Sequence, residues 1–277
     1  MATSKRKKKR RLFKFIVFLI IVWWYNNYTL KTNHVEITSG KIKNPVRIAI
    51  ISDTHSTKHG ISNNAILRRV RKANPDMVLI LGDMYTCDSP ADIMRIPVDL
   101  TSDIISAGYP VYFVTGEHDT DQSYIDAMVN TGAKPMNYAT EITEINGNKI
   151  QLFGIDNVYY SPTFNLRNEF TVNPDCFSIL MAHIPNYEKF ADFDTDLTVC
   201  ADTHGGMVQL PFVGVMIDSD SMQLFPEMYG ETVYDKGFFD YPGGTMFITS
   251  GIGVSPLPVR FNNRPEIVIM DIKSEVN

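Results

Sequence analysis

Five short segments of this 277-residue sequence carry side chains of the kind that hold metal ions. They are Ser52-Asp53-Thr54-His55, Gly82-Asp83, Gly116-Glu117-His118-Asp119, Ala182-His183 and Ala201-Asp202-Thr203-His204-Gly205-Gly206. Residues two apart in an extended chain point to the same side, so Asp53 with His55, and Asp202 with His204, can each aim two donors at one place. The glycines beside them permit tight turns and close approach of backbone to an ion or a phosphate. Of six histidines, only His34 and His59 lie outside these segments. Each segment alone is unspecific, because an isolated Asp-x-His is more often a hydrogen-bonded turn. Five in succession, each directly after a strand-like run, point to divalent-metal chemistry. Cysteine chemistry fits poorly: Cys87, Cys176 and Cys200 are odd in number and lack any paired spacing.

The elements that must position these residues alternate along the chain. Val46 to Ile51, Met77 to Leu81 and Val111 to Val114 are short apolar runs, separated by helical spacing over Asn63 to Lys72 and Asp92 to Ile105. That alternation predicts parallel βαβ units with functional groups just beyond the carboxyl ends of the strands. In the second half, Glu141 to Ile145 and Lys149 to Ile155 flank Asn146-Gly147, a hairpin signal. Phe177 to Ala182, Leu197 to Cys200, Thr245 to Thr249 and Ile267 to Asp271 are further strand candidates with little helix between them. The pattern predicts a parallel-leaning half packed face to face on a more antiparallel half, with helices outside.

Composition bounds the answer. With 44% apolar residues, 17 Gly, 15 Pro and 3 Cys, collagen-like, disordered and disulfide-scaffold classes are excluded, and one enzyme-sized core fits. Nine of the 26 basic residues lie in the first 34, which hold no acid, so residues 35–277 set 17 bases against 31 acids and carry about −14. Such a body excludes nucleic acid as a main partner.

The basic cluster Lys5 to Arg11 precedes eleven apolar residues, Phe15 to Tyr25, in the order of a secretory signal. No Ala-x-Ala follows, so an uncleaved anchor is expected. Counting Leu12 to Leu30 gives a helix of ~28 Å against a hydrocarbon core of ~30 Å, a marginal span. A basic interfacial segment is the alternative. The expected organisation is a basic N-terminus and single-pass membrane anchor over 1–30, a linker over 31–45, and a catalytic domain over 46–277. The positive-inside rule puts that domain on the extracytoplasmic side of the cell membrane.

The five segments resemble the calcineurin-like metallophosphoesterase superfamily, whose pattern is Asp-x-His, Gly-Asp, Gly-Asn-His-Asp/Glu, a single His and Gly-His-x-His. The resemblance runs from about Val46 to Asp271. It is nearest to a membrane-anchored bacterial branch, through Gly205-Gly206-Met207-Val208-Gln209-Leu210-Pro211, Ser250-Gly251-Ile252-Gly253 and the stretch from Leu257 to Glu266. It implies a four-layer α/β/β/α sandwich of two mixed sheets. It also implies a first metal on Asp53, His55, Asp83 and His204, and a second on Asp83, Glu117, His183 and Asp202. His118 would contact the scissile phosphate or protonate the leaving group.

Two positions depart from the pattern: Glu117 stands where the family has Asn, and Asp202 where it has the first His of the last motif. Both fall on the second metal. Four carboxylates would cancel the charge of two divalent ions, and such hard donors favour manganese or iron(II), with zinc, magnesium or calcium as alternatives. The expected function is hydrolysis of a phosphomonoester or phosphodiester, lipid- or envelope-linked, by water that the ions activate. The alternative is a metal-binding but catalytically silent relative, a sensor or scaffold. Arg260 is a candidate substrate-binding residue. The aromatic stretch Phe225 to Tyr241 reads equally as a groove lining or as packing over the sheet. No protein partner is expected.

Overall fold

The computed structural model describes residues 2–156, 163–217, 222–254 and 258–275, so Leu257 of the last matching stretch lies outside the described residues. The first half runs α1 (Ala2–Tyr28), β1 (Lys31–Ser39), β2 (Val46–Ile51), α2 (Asn63–Ala73), β3 (Met77–Ile80), α3 (Ala91–Ser106), β4 (Val111–Phe113), α4 (Gln122–Asn130) and β5 (Lys134–Pro135). The second half runs β6 (Ala139–Ile145), β7 (Asn148–Ile155), α5 (Leu166–Glu169), β8 (Phe177–Ala182), α6 (Tyr187–Phe193) and β9 (Leu197–Cys200). It ends with β10 (Gln209–Leu210), β11 (Gly214–Val215), β12 (Gly237–Tyr241), β13 (Gly244–Ile248) and β14 (Glu266–Ser274).

Strands β2 and β3 are apolar at almost every position because both of their faces are buried. Ile48, Ile50, Met77 and Leu79 enter one apolar cluster, whereas Ala49, Ile51, Val78 and Ile80 enter another, as a period of two requires. The first cluster also takes Ile150, Leu152, Ile179, Val199 and Phe247, so it is the seam between two sheets. The second is roofed by Ile66, Val70, Leu100 and Ile104 of α2 and α3. A third, with Phe190 and Phe193 of α6, covers the far face of the other sheet. Three apolar seams make the four layers helix, sheet, sheet, helix.

The sheets have strand orders β1-β14-β2-β3-β4-β5 and β12-β13-β9-β8-β7-β6, with β10-β11 as a separate ribbon. In the first, β2 to β5 are parallel and β14 is antiparallel to β2. The second half is less antiparallel than its sequence predicts: β7, β8, β9 and β13 run parallel, and only the edge strands β6 and β12 are reversed. Its crossover helices α5 and α6 have four and seven residues, too few for a helical period to show.

Two expectations for the N-terminus are corrected. Residues 31–39, expected as part of a linker, form an edge strand parallel to β14, from Lys31 opposite Glu266 to Ser39 opposite Ser274. Val35 and Ile37 alternate inward onto the seam, a period hidden by the polar residues around them. The expected span over 12–30 also fails, since among the described residues no helix is long and apolar enough to cross a membrane. The end of α1 docks instead on the protein body, where Asn26, Asn27 and, two residues past the helix, Leu30 are buried. Asn27 exchanges hydrogen bonds with the backbone of Arg260, Asn262 N donates to Asn26 Oδ1 (2.8 Å), and Trp23 Nε1 donates to the carbonyl of Pro258 (2.8 Å). The preceding apolar residues, Leu12 through Tyr25, are exposed along most of their length.

Candidate metal centre

The loops that leave β2, β3, β4, β8 and β9 all open at the carboxyl ends of their strands, along one end of the seam between the sheets. Five of the candidate metal ligands on these loops hold left-handed backbone: Asp53 (φ 47°), His55 (φ 37°), Asp83 (φ 51°), Asp202 (φ 70°) and His204 (φ 50°). Such a conformation costs roughly 1–2 kcal/mol for a residue other than glycine. It persists because neighbouring loops fix one another: Asp53 N donates to the carbonyl of Gly82 (2.9 Å) and His55 N to that of Asp83 (3.1 Å). At Gly116 a Cβ would sit 2.2 Å from Asp83 Oδ1, so only glycine lets β4 approach that carboxylate.

Asp83 is the hub. Its Oδ2 lies 3.3 Å from His183 Nε2, 3.7 Å from His55 Nε2 and 3.9 Å from His118 Nε2, and its Oδ1 accepts from the His118 amide (2.9 Å). Burial pushes this carboxyl up, but the close contact and charge of His183, with the hydrogen bond from the His118 amide, outweigh it and hold Asp83 at about 2. Asp53 is buried without that company, and burial pushes it to about 7 even though His183 and the Ser52 hydroxyl pull the other way.

Each histidine has a proton position dictated by its second nitrogen. His183 Nδ1 donates to the carbonyl of Leu81 (2.7 Å), so its buried Nε2 is turned toward Asp83 and Asp202 and makes no hydrogen bond of regular geometry. His118 Nδ1 accepts from the amide of Cys87 (3.0 Å), which leaves the proton on Nε2, facing Asp83. A guanidinium only donates, so Arg260 Nη2 gives a hydrogen bond to His204 Nδ1 (3.2 Å) and the His204 proton is on Nε2. That proton points at His55 Nε2 (3.2 Å), and His55 Nδ1 donates onward to Thr86 Oγ1 (3.2 Å). Burial pushes His55 down to about 4 and His204 well below its ordinary value, so both rings are neutral.

Three groups of donors are close enough to share a cation: Asp53, Asp83 and His183; Asp53, His55 and His204; His55, Asp83 and His118. The first fits a divalent ion best, because the buried Nε2 of His183 has no hydrogen-bond partner and offers a lone pair beside two carboxylates once its proton is expelled. Asp202 stands at the rim, its Oδ1 3.6 Å from His183 Nε2 and its side chain 33% exposed. The second group fits only after His204 gives up the proton that Arg260 imposes on Nε2. Divalent ions here would polarise phosphoryl oxygens and lower the pKa of a bound water. The chain itself supplies hard carboxylate donors and, at His118, an N–H that faces Asp83.

Three residues differ from their expected or apparent roles. Glu117, expected as a ligand of the second metal, is exposed and joins none of these groups; the amide and ring of its neighbour His118 face Asp83 instead. Arg260 is 2% exposed and does not face a substrate space. It is a strut, donating to the carbonyls of Gly253 (2.9 Å), Ser250 (2.7 Å) and His204 (3.3 Å). Asp119 is buried and ties two site loops together by accepting from Met84 N (3.0 Å) and Gly116 N (3.2 Å). Burial, then the charge of Asp83, push it to about 7. Its place directly after His118 was the one signal for that role.

Loading an ion must expel protons. The ion-free centre keeps Asp53 protonated below about 7, and despite burial the Asp202 and Asp83 carboxylates hold His183 well above its ordinary value. Protons and cation compete for the same atoms, so affinity rises with pH. Between pH 8 and pH 6 the Mn²⁺ affinity should fall at least about tenfold. Calorimetry in two buffers of different ionisation enthalpy should register the released protons, and an affinity flat across that range would contradict this.

A cleft of about 310 Å³ opens beside His55. Thr54, His55 and Thr86 form its polar wall, Ile61, Ile252 and Val254 its apolar one, and Asn27 and Tyr28 at the end of α1 close it.

A family model for calcineurin-like phosphoesterases matches residues 46–211. The sequence is 23% identical over 261 residues to the uncharacterized metallophosphoesterase YkuE of Bacillus subtilis (strain 168), covering 88% of each chain. It is 23% identical over 242 residues to the phosphodiesterase YaeI of Escherichia coli (strain K12), covering 82% of each. Among solved structures, TT1561 of Thermus thermophilus aligns with a TM-score of 0.46 at 10% identity, over 74% of this chain and 89% of that one.

Proposed function

The chain belongs to the calcineurin-like phosphoesterase family, a phosphoric ester hydrolase with candidate metal-ligand groups of Asp and His, and from that premise we propose that it acts at a membrane surface on a phosphate ester with an apolar portion. The observation that carries this reading is the cleft beside His55. Its end wall is Asn27 and Tyr28, the last residues of a helix whose earlier part exposes Leu12 through Tyr25 and begins with Lys5 to Arg11. A basic cluster followed along the helix by exposed apolar residues draws it to an anionic bilayer, by charge at one end and by buried apolar area at the other. The positive-inside rule acts on spanning segments, so the location proposed is the membrane surface itself. The ions proposed are one or two of manganese or iron(II), with zinc or magnesium as alternatives, because the donors mix carboxylate (Asp53, Asp83) with imidazole (His55, His118, His183, His204).

Purified full-length protein, stripped of metal and refilled with Mn²⁺, should hydrolyse a soluble aryl phosphodiester or monoester. It should act at least about tenfold more efficiently on a phospholipid ester presented in anionic vesicles, with which it cosediments. Absence of turnover with every metal would defeat the hydrolase reading. Equal efficiency on soluble and vesicle-borne esters would defeat the membrane reading alone.

A further inference from the structure

A second cavity, of about 530 Å³, lies on the other side of the end of α1 from the cleft at His55. Asn26 lines one space and its neighbour Asn27 the other. Three cations face the larger cavity, Lys31, Lys236 and Arg264, against one carboxylate, Glu266. In a body that carries about −14, a pocket of net charge about +2 is a local inversion.

The cations are not used up by their neighbours. Lys236 is half-buried, yet among the described residues no carboxylate lies within ion-pair distance of its ammonium. Burial pushes that group down, the response of a charge without a close partner. Arg264 lies flat on the Tyr25 ring, 4.3 Å from its centroid, and donates through Nε to Thr29 Oγ1 (2.8 Å) and through Nη1 to the Tyr25 hydroxyl (2.9 Å). Its Nη2 has no partner among the described residues. Lys31 reaches Glu266 only loosely, at 3.6 Å, while the Glu266 Oε1 is held by Ser250 N (3.2 Å) and Thr249 Oγ1 (3.3 Å). Asn33 and Asn262 add neutral amide donors to the wall. The last carbonyls of α1 would repel an anion, and of these the Tyr25 carbonyl already accepts from Thr29 Oγ1 (2.6 Å).

We propose that this cavity is a second phosphate site, separate from the metal centre, which binds a phosphomonoester dianion on Lys31, Lys236 and Arg264. Two net positive charges match a dianion better than the single charge of a phosphodiester. The group can come from a lipid headgroup or from free phosphate, and the cavity's place at the foot of the exposed apolar helix makes both reachable. The proposal is independent of what the metal centre hydrolyses.

Metal-loaded full-length protein is titrated by calorimetry with inorganic phosphate, dimethyl phosphate and monomeric dihexanoyl phosphatidic acid. The expected result is a phosphate-binding event that survives Asp83→Asn and weakens at least about tenfold in Lys236→Gln, with dimethyl phosphate at least about tenfold weaker than phosphate. If Lys236→Gln does not fold, Lys31→Gln, at an exposed end of the cavity, decides in its place. Phosphatidic acid binding much tighter than phosphate identifies the headgroup as the source, and equal affinities identify free phosphate. Binding unchanged in both lysine variants, or abolished by Asp83→Asn alone, overturns the proposal. Failure of the hydrolase reading would instead show as turnover lost with this event intact.

Discussion

Asp83→Asn should lower turnover of a phosphoester by on the order of a thousandfold and remove at least one equivalent of bound metal. Three imidazole nitrogens converge on its Oδ2 within 3.3 to 3.9 Å, so no other side chain in the centre can replace it as a shared anion. The amide keeps an acceptor for the His118 amide, now bonded at 2.9 Å, so the β4 loop should hold its place. Folding therefore separates the two explanations of a lost signal. An unchanged circular dichroism spectrum with metal content reduced, read by elemental analysis, is the expected pair of results. Full activity in this variant would remove the metal centre from the account.

Arg260→Met should be the most destabilising single change near the site, by on the order of 3 kcal/mol or more. The guanidinium satisfies buried carbonyls at Ser250, Gly253 and His204, and each one orphaned costs ~1–3 kcal/mol. Burial pulls Arg260 down to about 10, opposed by the charges of Asp53 and Glu266, so it is still cationic at neutral pH. Methionine fills similar space but supplies no donor. It also frees His204 Nδ1, which can then take the ring proton and release Nε2 as a lone pair. Urea denaturation should show the lost stability, and metal affinity measured on the folded fraction should rise or hold. A midpoint equal to the wild type would show that Arg260 is not the strut described above.

Much of this was legible in the sequence because its signals are local. Strands β2, β3 and β4 are short apolar runs that end in polar residues, and the Asn146-Gly147 turn fixes the β6–β7 hairpin. The mixed two-sheet sandwich follows from that alternation. What the sequence hid is non-local. β1 is a strand only because β14, more than two hundred residues later, lies beside it. Arg260 reads as an anion-binding residue until its burial under His204 is seen, and Glu117 reads as a ligand until the turn after β4 points it outward. Spacing gives which residues reach a strand end, and only packing decides which way each one faces.

The docking of α1 has a consequence for the order of events during synthesis. The helix leaves the ribosome more than two hundred residues ahead of the segment it grips, Pro258 to Arg264. At translation speeds of ~5–20 residues per second, some tens of seconds separate the two. Throughout that interval the nascent apolar helix lacks the segment that grips it, so lipid or a chaperone can claim it before Pro258 to Arg264 are made.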